Sequence, residues 1–175
     1  MTVMDKKIGT GSREETLSRL AGKYLTFKLD AEEFGLEILK VQEIIKMMEI
    51  TKVPRTPPFV RGVINLRGKV IPVVDLRLKF DMEARNNTDK TCVIVVTVHR
   101  RSGSVVMGII VDEVSEVLDV AGASIEPAPE FGGAVDTSFI LGMGKIGERV
   151  VTLMDVDRVL SGEDVAAVAA VGPEA

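Results

Sequence analysis

A chain of 175 residues has room for one ordinary domain or two very small ones, which excludes separate cofactor and substrate domains. Hydrophobic residues make up 46% against 27% charged, enough apolar surface to fold, and a net charge of −4 supplies no positive field to hold a nucleic-acid backbone. A single cysteine, Cys92, and a single histidine, His99, exclude an internal disulfide and leave a transition-metal site short of ligands.

Residues 1–21 mix Lys6, Lys7, Arg13, Glu14 and Glu15 with Gly9, Gly11 and Ser12, and read as a mobile lead-in or weak helix. No apolar stretch of signal-peptide length occurs there, and no run of about 18 apolar residues occurs anywhere, so the expectation is a soluble cytoplasmic protein. Tyr24 to Leu29 is strand-like, Asp30-Ala31-Glu32-Glu33 supplies a turn, and Phe34 to Ile38 returns as a hairpin. Val41, Ile44, Ile45 and Met48 have helical spacing but are largely β-branched. The expectation is one helical turn near Leu39 to Val41, then a strand. Val63 to Leu66, a turn at Arg67-Gly68 and Lys69 to Val74 form a second hairpin, in which Pro72 calls for a sheet edge or a bulge. Cys92 to Val98 and Val105 to Val111 form a third around His99 to Gly103, and the continuous Val93-Ile94-Val95-Val96 requires cover on both faces. The segment from Val165 to Ala175 is Ala-rich and reads as a frayed helix or as no structure.

The middle of the chain repeats itself. Phe34-Gly35-Leu36 and Val41-Gln42-Glu43-Ile44-Ile45 answer Met107-Gly108-Ile109 and Val114-Ser115-Glu116-Val117-Leu118. After a loop insertion, Phe59-Val60-Arg61-Gly62 and the run from Lys69 to Leu76 answer Phe139-Ile140-Leu141-Gly142 and the run from Arg149 to Val156. The halves are roughly 22–85 and 88–161, followed by a tail from 162 to 175. Short strands with frequent turns predict a mostly β fold of two small closed barrels. A barrel of about 65 residues buries only about 60% of its unfolded surface and is marginal alone. A third core shared by the halves is therefore expected, with a groove where they meet.

The candidate chemistry is sparse. Asp75 and Asp155 are the repeat's matching carboxylates, and helix capping explains both better than the paired acids of a hydrolase. Asp112, Glu113 and Glu116 lack a calcium-loop pattern and read as a solvated acidic face. His99 lies in a turn with no nucleophile beside it in sequence, and Cys92 reads as a small core residue. Gly142-Met143-Gly144-Lys145-Ile146-Gly147 sits between strands, where a phosphate loop would need a helix start, and seven aromatic residues are few for stacking nucleic-acid bases. What stands out is an asymmetry. Arg67 tips a hairpin whose second-half counterpart carries Gly147, so a guanidinium is presented beside apolar strands as a candidate interface anchor.

Val41-Gln42-Glu43-Ile44, the run from Arg61 to Arg77 and Val111-Asp112-Glu113-Val114-Ser115-Glu116-Val117-Leu118 resemble the CheW family of bacterial chemotaxis coupling proteins, over about residues 22–161. Pro127-Ala128-Pro129-Glu130-Phe131 and Phe139-Ile140-Leu141-Gly142 fit the same likeness. The resemblance implies two five-stranded barrels, with strands that can be exchanged between them. It implies a cytoplasmic, non-catalytic adaptor without cofactor or metal, which joins the cytoplasmic tip of a chemoreceptor to a chemotaxis histidine kinase and does not insert in the membrane. Receptor binding in the groove carries over to Val41, Glu43, Gly62, Arg67 and Val117; docking on the kinase's similar regulatory domain carries over to no particular residue. A coupling domain cut from a larger kinase or receiver-bearing protein is the alternative, and a carboxylate-dependent hydrolase the weaker one. The His99 to Ser104 hairpin and the Ala-rich tail depart from the family and take no role from it.

Overall fold

A computed structural model of the chain describes residues 19–83, 86–100, 103–129 and 137–160. The expectations for the first eighteen residues and for the tail from residue 161 lie outside the described residues, as do Arg101-Ser102 and residues 130–136.

The first half runs through β1 (Gly22–Leu29), β2 (Glu32–Glu37), a 3-10 turn (Ile38–Lys40), β3 (Val41–Lys46), β4 (Val60–Leu66), β5 (Lys69–Asp75) and a one-turn helix, α1 (Leu76–Lys79). The second repeats the plan with β6 (Cys92–Arg100), β7 (Gly103–Val111), β8 (Glu113–Val120), a 3-10 turn (Gly122–Ser124), a short β9 (Ile125–Glu126), β10 (Ile140–Ile146), β11 (Arg149–Met154) and α2 (Val156–Val159). The helical spacing from Val41 resolves as expected, into a 3-10 turn and then a strand. Ile45 turns to an apolar core while Ile44 stays in solvent, the alternation of a half-buried strand.

The strands assemble into two sheets, one in the order β8-β1-β2-β11-β10-β9 and one in the order β3-β6-β7-β5-β4. Each contains a hairpin from one half set among strands of the other. The β1–β2 hairpin lies between β8 and β11, and the β6–β7 hairpin between β3 and β5. The pairings β2–β11 and β5–β7 are parallel; every other ladder is antiparallel. Beyond β3 the chain turns back, and Thr51 and Val63 of β4 exchange backbone hydrogen bonds of 2.9 Å each way. Beyond β8, β9 pairs with β10 in the same manner. The outer strand of each sheet is thus tied to the opposite edge by its own continuation.

That return path explains two glycines. At Gly62, with φ of 140°, a Cβ would stand 2.0 Å from the Thr51 carbonyl oxygen. At Gly142 it would meet the Ile125 side chain at 2.7 Å and the Glu126 carbonyl at 3.0 Å. Any side chain at Gly62 would part β4 from the returning chain.

Three cores follow from the period-two alternation of the exchanged strands. Val93, Val95 and Ile110 face one way, joining Ile64, Ile71 and Val73 beneath the five-stranded sheet. Tyr24, Val120, Ile125, Val151 and Leu153 fill the other sheet. The opposite faces, with Leu25, Phe27, Phe34 and Leu36 from β1 and β2 and Ile94, Val96, Met107 and Ile109 from β6 and β7, meet in a core that both sheets share. Both faces of β6 are covered, as its continuous apolar run requires, and Cys92 lies in the shared core, where burial pushes its thiol up.

Two expectations need correcting. Pro72 lies on β5, an interior strand, but the parallel ladder to β7 starts only at Val73, so the missing N–H falls where β5 is laddered on one side. Asp112 belongs to no solvated face: Arg77 and the backbone of Asp30 claim both its oxygens. Among the described residues no helix is long and apolar enough to cross a membrane.

Candidate functional site

The turn between β4 and β5 is built from two residues in left-handed conformation, Arg67 with φ of 51° and Gly68 with φ of 87°. Tight hairpin turns of this kind match the twist of their strands, and the Asn65 carboxamide oxygen locks this one by accepting from Gly68 N–H at 2.8 Å. Glycine adopts the geometry freely. Arginine does not, because its Cβ crowds the following carbonyl. In the second half the equivalent position is Gly147, with φ of 61°. The first half therefore holds a strained cation at a place where its twin uses the unstrained residue, an arrangement that gathers at functional sites.

From this turn the Arg67 guanidinium reaches back to β3 and forks onto Glu43, one nitrogen at 3.1 Å from Oε1 and the other on Oε2. Glu43 sits just past the bulge that shifts the β3–β6 register. The hydrogen bonds from Arg67 hold the Glu43 carboxyl below its usual range, and Glu43 in turn raises Arg67. Arg67 remains 69% exposed and Glu43 29%, so the pair is a preset feature of the surface. β3 and β4 are the two edges of their sheet, and the fork stands across the gap between them. Exposed apolar side chains lie nearby in sequence: Ile44 and Met48 on and after β3, Val70 three residues beyond Arg67.

The structure brings four of the five sequence-derived residues onto one sheet. Glu43 and Arg67 touch. Val41 begins β3 and packs partly into the shared core, and Gly62 is buried on β4, where it permits the Thr51 contact. Val117 lies on the other sheet, on β8 opposite Leu25 of β1, and is 49% exposed. It is the repeat counterpart of Ile44, and Glu116 beside it answers Glu43. Glu116 stands 3.7 Å from Arg149, whose other nitrogen is 3.2 Å from Glu33.

Asp75 and Asp155 cap their helices as expected, each accepting from the backbone N–H two residues on at 3.0 Å. Asp75 is wholly buried and is gripped by Arg77 through Nε and a terminal nitrogen, each at 2.9 Å, and by Arg61 at 3.1 Å. Arg77 extends to Asp112 at 2.8 Å. A guanidinium with 1% exposure thus stands between the two carboxylates, so Asp75 has neither a free lone pair facing solvent nor a path for substrate, and the pair is a structural cross-link. The burial of Arg77 escaped sequence reasoning, because Leu76-Arg77-Leu78 looks like an exposed helical turn and Asp112 is remote in sequence. So did the contact of Lys40 with Asp157, 2.7 Å long.

Residues 23–164 match the family described as "CheW-like domain". Among curated relatives, "Chemotaxis protein CheW" of Klebsiella aerogenes is 42% identical over 158 residues, which span 87% of this chain and 93% of that protein. "Chemotaxis protein CheW" of Helicobacter pylori is 33% identical over 89% of this chain and 90% of its own length. A crystal structure of "scaffolding protein TtCheW from Thermoanaerobacter tengcongensis" superposes with a TM-score of 0.71 at 34% identity, covering 83% of this chain and 96% of that one.

Proposed function

The chain belongs to the CheW-like family, and from that membership we propose that it holds a chemoreceptor's cytoplasmic tip and a chemotaxis histidine kinase at the same time, with no covalent chemistry of its own. It is a chemotaxis coupling adaptor of the scaffolding kind. Coupling by position needs two independent faces, so that a change in the receptor biases the arrangement of the kinase. The action takes place in the cytoplasm, with recruitment to membrane-bound arrays through the partners.

The observation that carries the receptor face is the strained, preset Arg67 fork on Glu43 beside exposed Ile44 and Val70. Its positive head is fixed before a partner arrives, which lowers the ordering cost of binding, and the apolar neighbours supply area to bury. Val41 and Gly62 serve this face from behind, by setting β3 and β4. Val117 enters contact when the bound receptor tip reaches across to the second sheet. Interfaces of about 1,600 Å² are often only micromolar singly, and an array gains strength by multivalency. Co-sedimentation tests the proposal. The protein should pellet with receptor-bearing membranes and carry kinase with it, and kinase that pellets equally well in its absence would refute the coupling role.

A further inference from the structure

The two halves end in the same construction with opposite charges. Two residues after the capping Asp75 comes a cation, Arg77, and it meets Asp112, which directly follows β7. Two residues after the capping Asp155 comes an anion, Asp157, and it meets Lys40, the last residue of the turn that follows β2. Each contact ties a strand-end helix to the link that leaves the hairpin strand beside it, because β7 lies parallel against β5 and β2 parallel against β11.

Toward the shared core and at the parallel junction the two hairpins are alike. Both hairpins present a glycine at the parallel junction, Gly35 or Gly108. A Cβ on Gly35 would press to 2.9 Å on Leu153, and one on Gly108 to 2.7 Å on Val93 and 3.4 Å on Val73. Both turn large apolar side chains, Phe34 and Leu36 or Met107 and Ile109, to the shared core. Had each half kept its own hairpin, β2 would lie against β5 and β7 against β11, and the links would move with them. In the register of the two parallel ladders Leu39 answers Asp112 and Glu113 answers Lys40, so Arg77 would exchange its anion for a link that carries the Lys40 cation, and Asp157 would face Glu113. Arg77, Lys40 and Asp157 are between 1% and 27% exposed, so solvent would screen such repulsion poorly. Asp155 and Glu37 already crowd the second site, where Lys40 is a balancing cation.

We infer that the inverted charges of these two clamps select the exchanged fold, since only the hairpin of the unlike half enters each sheet without a like-charge contact. The inference does not depend on the receptor or the kinase.

Lys23 on β1 and Asp119 on β8 stand opposite each other, both exposed, and only in the exchanged fold. In a Lys23→Cys/Asp119→Cys background, a short thiol-to-thiol reagent applied after refolding from denaturant counts exchanged molecules. With native clamps nearly every molecule should cross-link. Lys40→Asp/Asp157→Lys has complementary clamps in both arrangements, and its cross-linked fraction should fall by at least about twofold. Lys40→Gln/Asp157→Asn, which keeps an acceptor for the His99 N–H now held by Asp157 at 2.7 Å, should fall between the two. Equal cross-linking in all three would overturn the inference. So would a charge-reversed chain that folds in neither arrangement, because either one offers it paired charges.

Discussion

The β4–β5 and β10–β11 hairpins are copies of one plan put to different uses. At the same left-handed turn position the second carries Gly147 and the first carries Arg67, tied across the sheet edges to Glu43. At the strand ends the difference runs the other way in depth: Arg77 is sunk between Asp75 and Asp112, while Arg158 stays 65% exposed beside Asp155 at 3.6 Å. A duplicated skeleton lets one copy keep the low-strain, solvated solution and frees the other to bury a charge or to hold a strained one where a partner can reach it.

Removing the buried charge should show the comparison most strongly. Arg77→Ala leaves the buried Asp75 with only the half-exposed Arg61 as a charged partner and is expected to cost about 3–5 kcal/mol in denaturant unfolding, whereas Arg158→Ala, beside the capping aspartate of the second half, should stay within about 0.5 kcal/mol. Equal losses would mean that the two junctions are mechanically alike. The next effect is at the paired glycines. Gly62→Ala adds left-handed strain to a clash with the rigid Thr51 carbonyl and should cost about 3 kcal/mol or more, against about 1–3 kcal/mol for Gly142→Ala, whose nearest contact is the Ile125 Cγ2 methyl at 2.7 Å in place of a carbonyl oxygen at 2.0 Å. Any binding defect of Gly62→Ala should therefore travel with its melting curve.

The smallest effect separates two glutamates by sign. Burial, then the nearby Asp155 and Asp157, raise Glu37 against the pull of Lys40, so the folded protein holds that proton more tightly than the unfolded chain. Its favourable contribution is complete below the ordinary glutamate range and is lost as pH rises through the raised value. Glu37→Gln should consequently raise the melting temperature at neutral pH by on the order of 1 °C, with the gain vanishing in acid. Glu43 is lowered by Arg67, so its contribution is present at neutral pH and disappears as pH falls through the lowered value. A Glu37→Gln gain that persists in acid would remove charge crowding as its cause.

Much of this was legible in the sequence, because hairpins, caps and the Arg67 turn are local matters of residue type and spacing. The duplication, the capping aspartates and the turn from Ile38 into β3 could all be read that way. Pairing across sheets could not. Toward the shared core both hairpins carry the same apolar rhythm and the same glycine, so those features do not say which sheet each will enter, and Arg77 shows its partner Asp112 only once β7 lies against β5. Pro72 misled for the same reason: its lone-sided position depends on where a distant parallel ladder starts.

Titration calorimetry of a soluble receptor-tip fragment, run on Arg67→Gly and Arg149→Ala side by side, bears most directly on the account. Arg67→Gly gives the first turn the second turn's solution, and affinity should drop at least about tenfold while the melting temperature moves by less than about 2 °C. Arg149→Ala should bind as the unaltered protein does. Unchanged affinity for Arg67→Gly, or an equal loss in both variants, would contradict it.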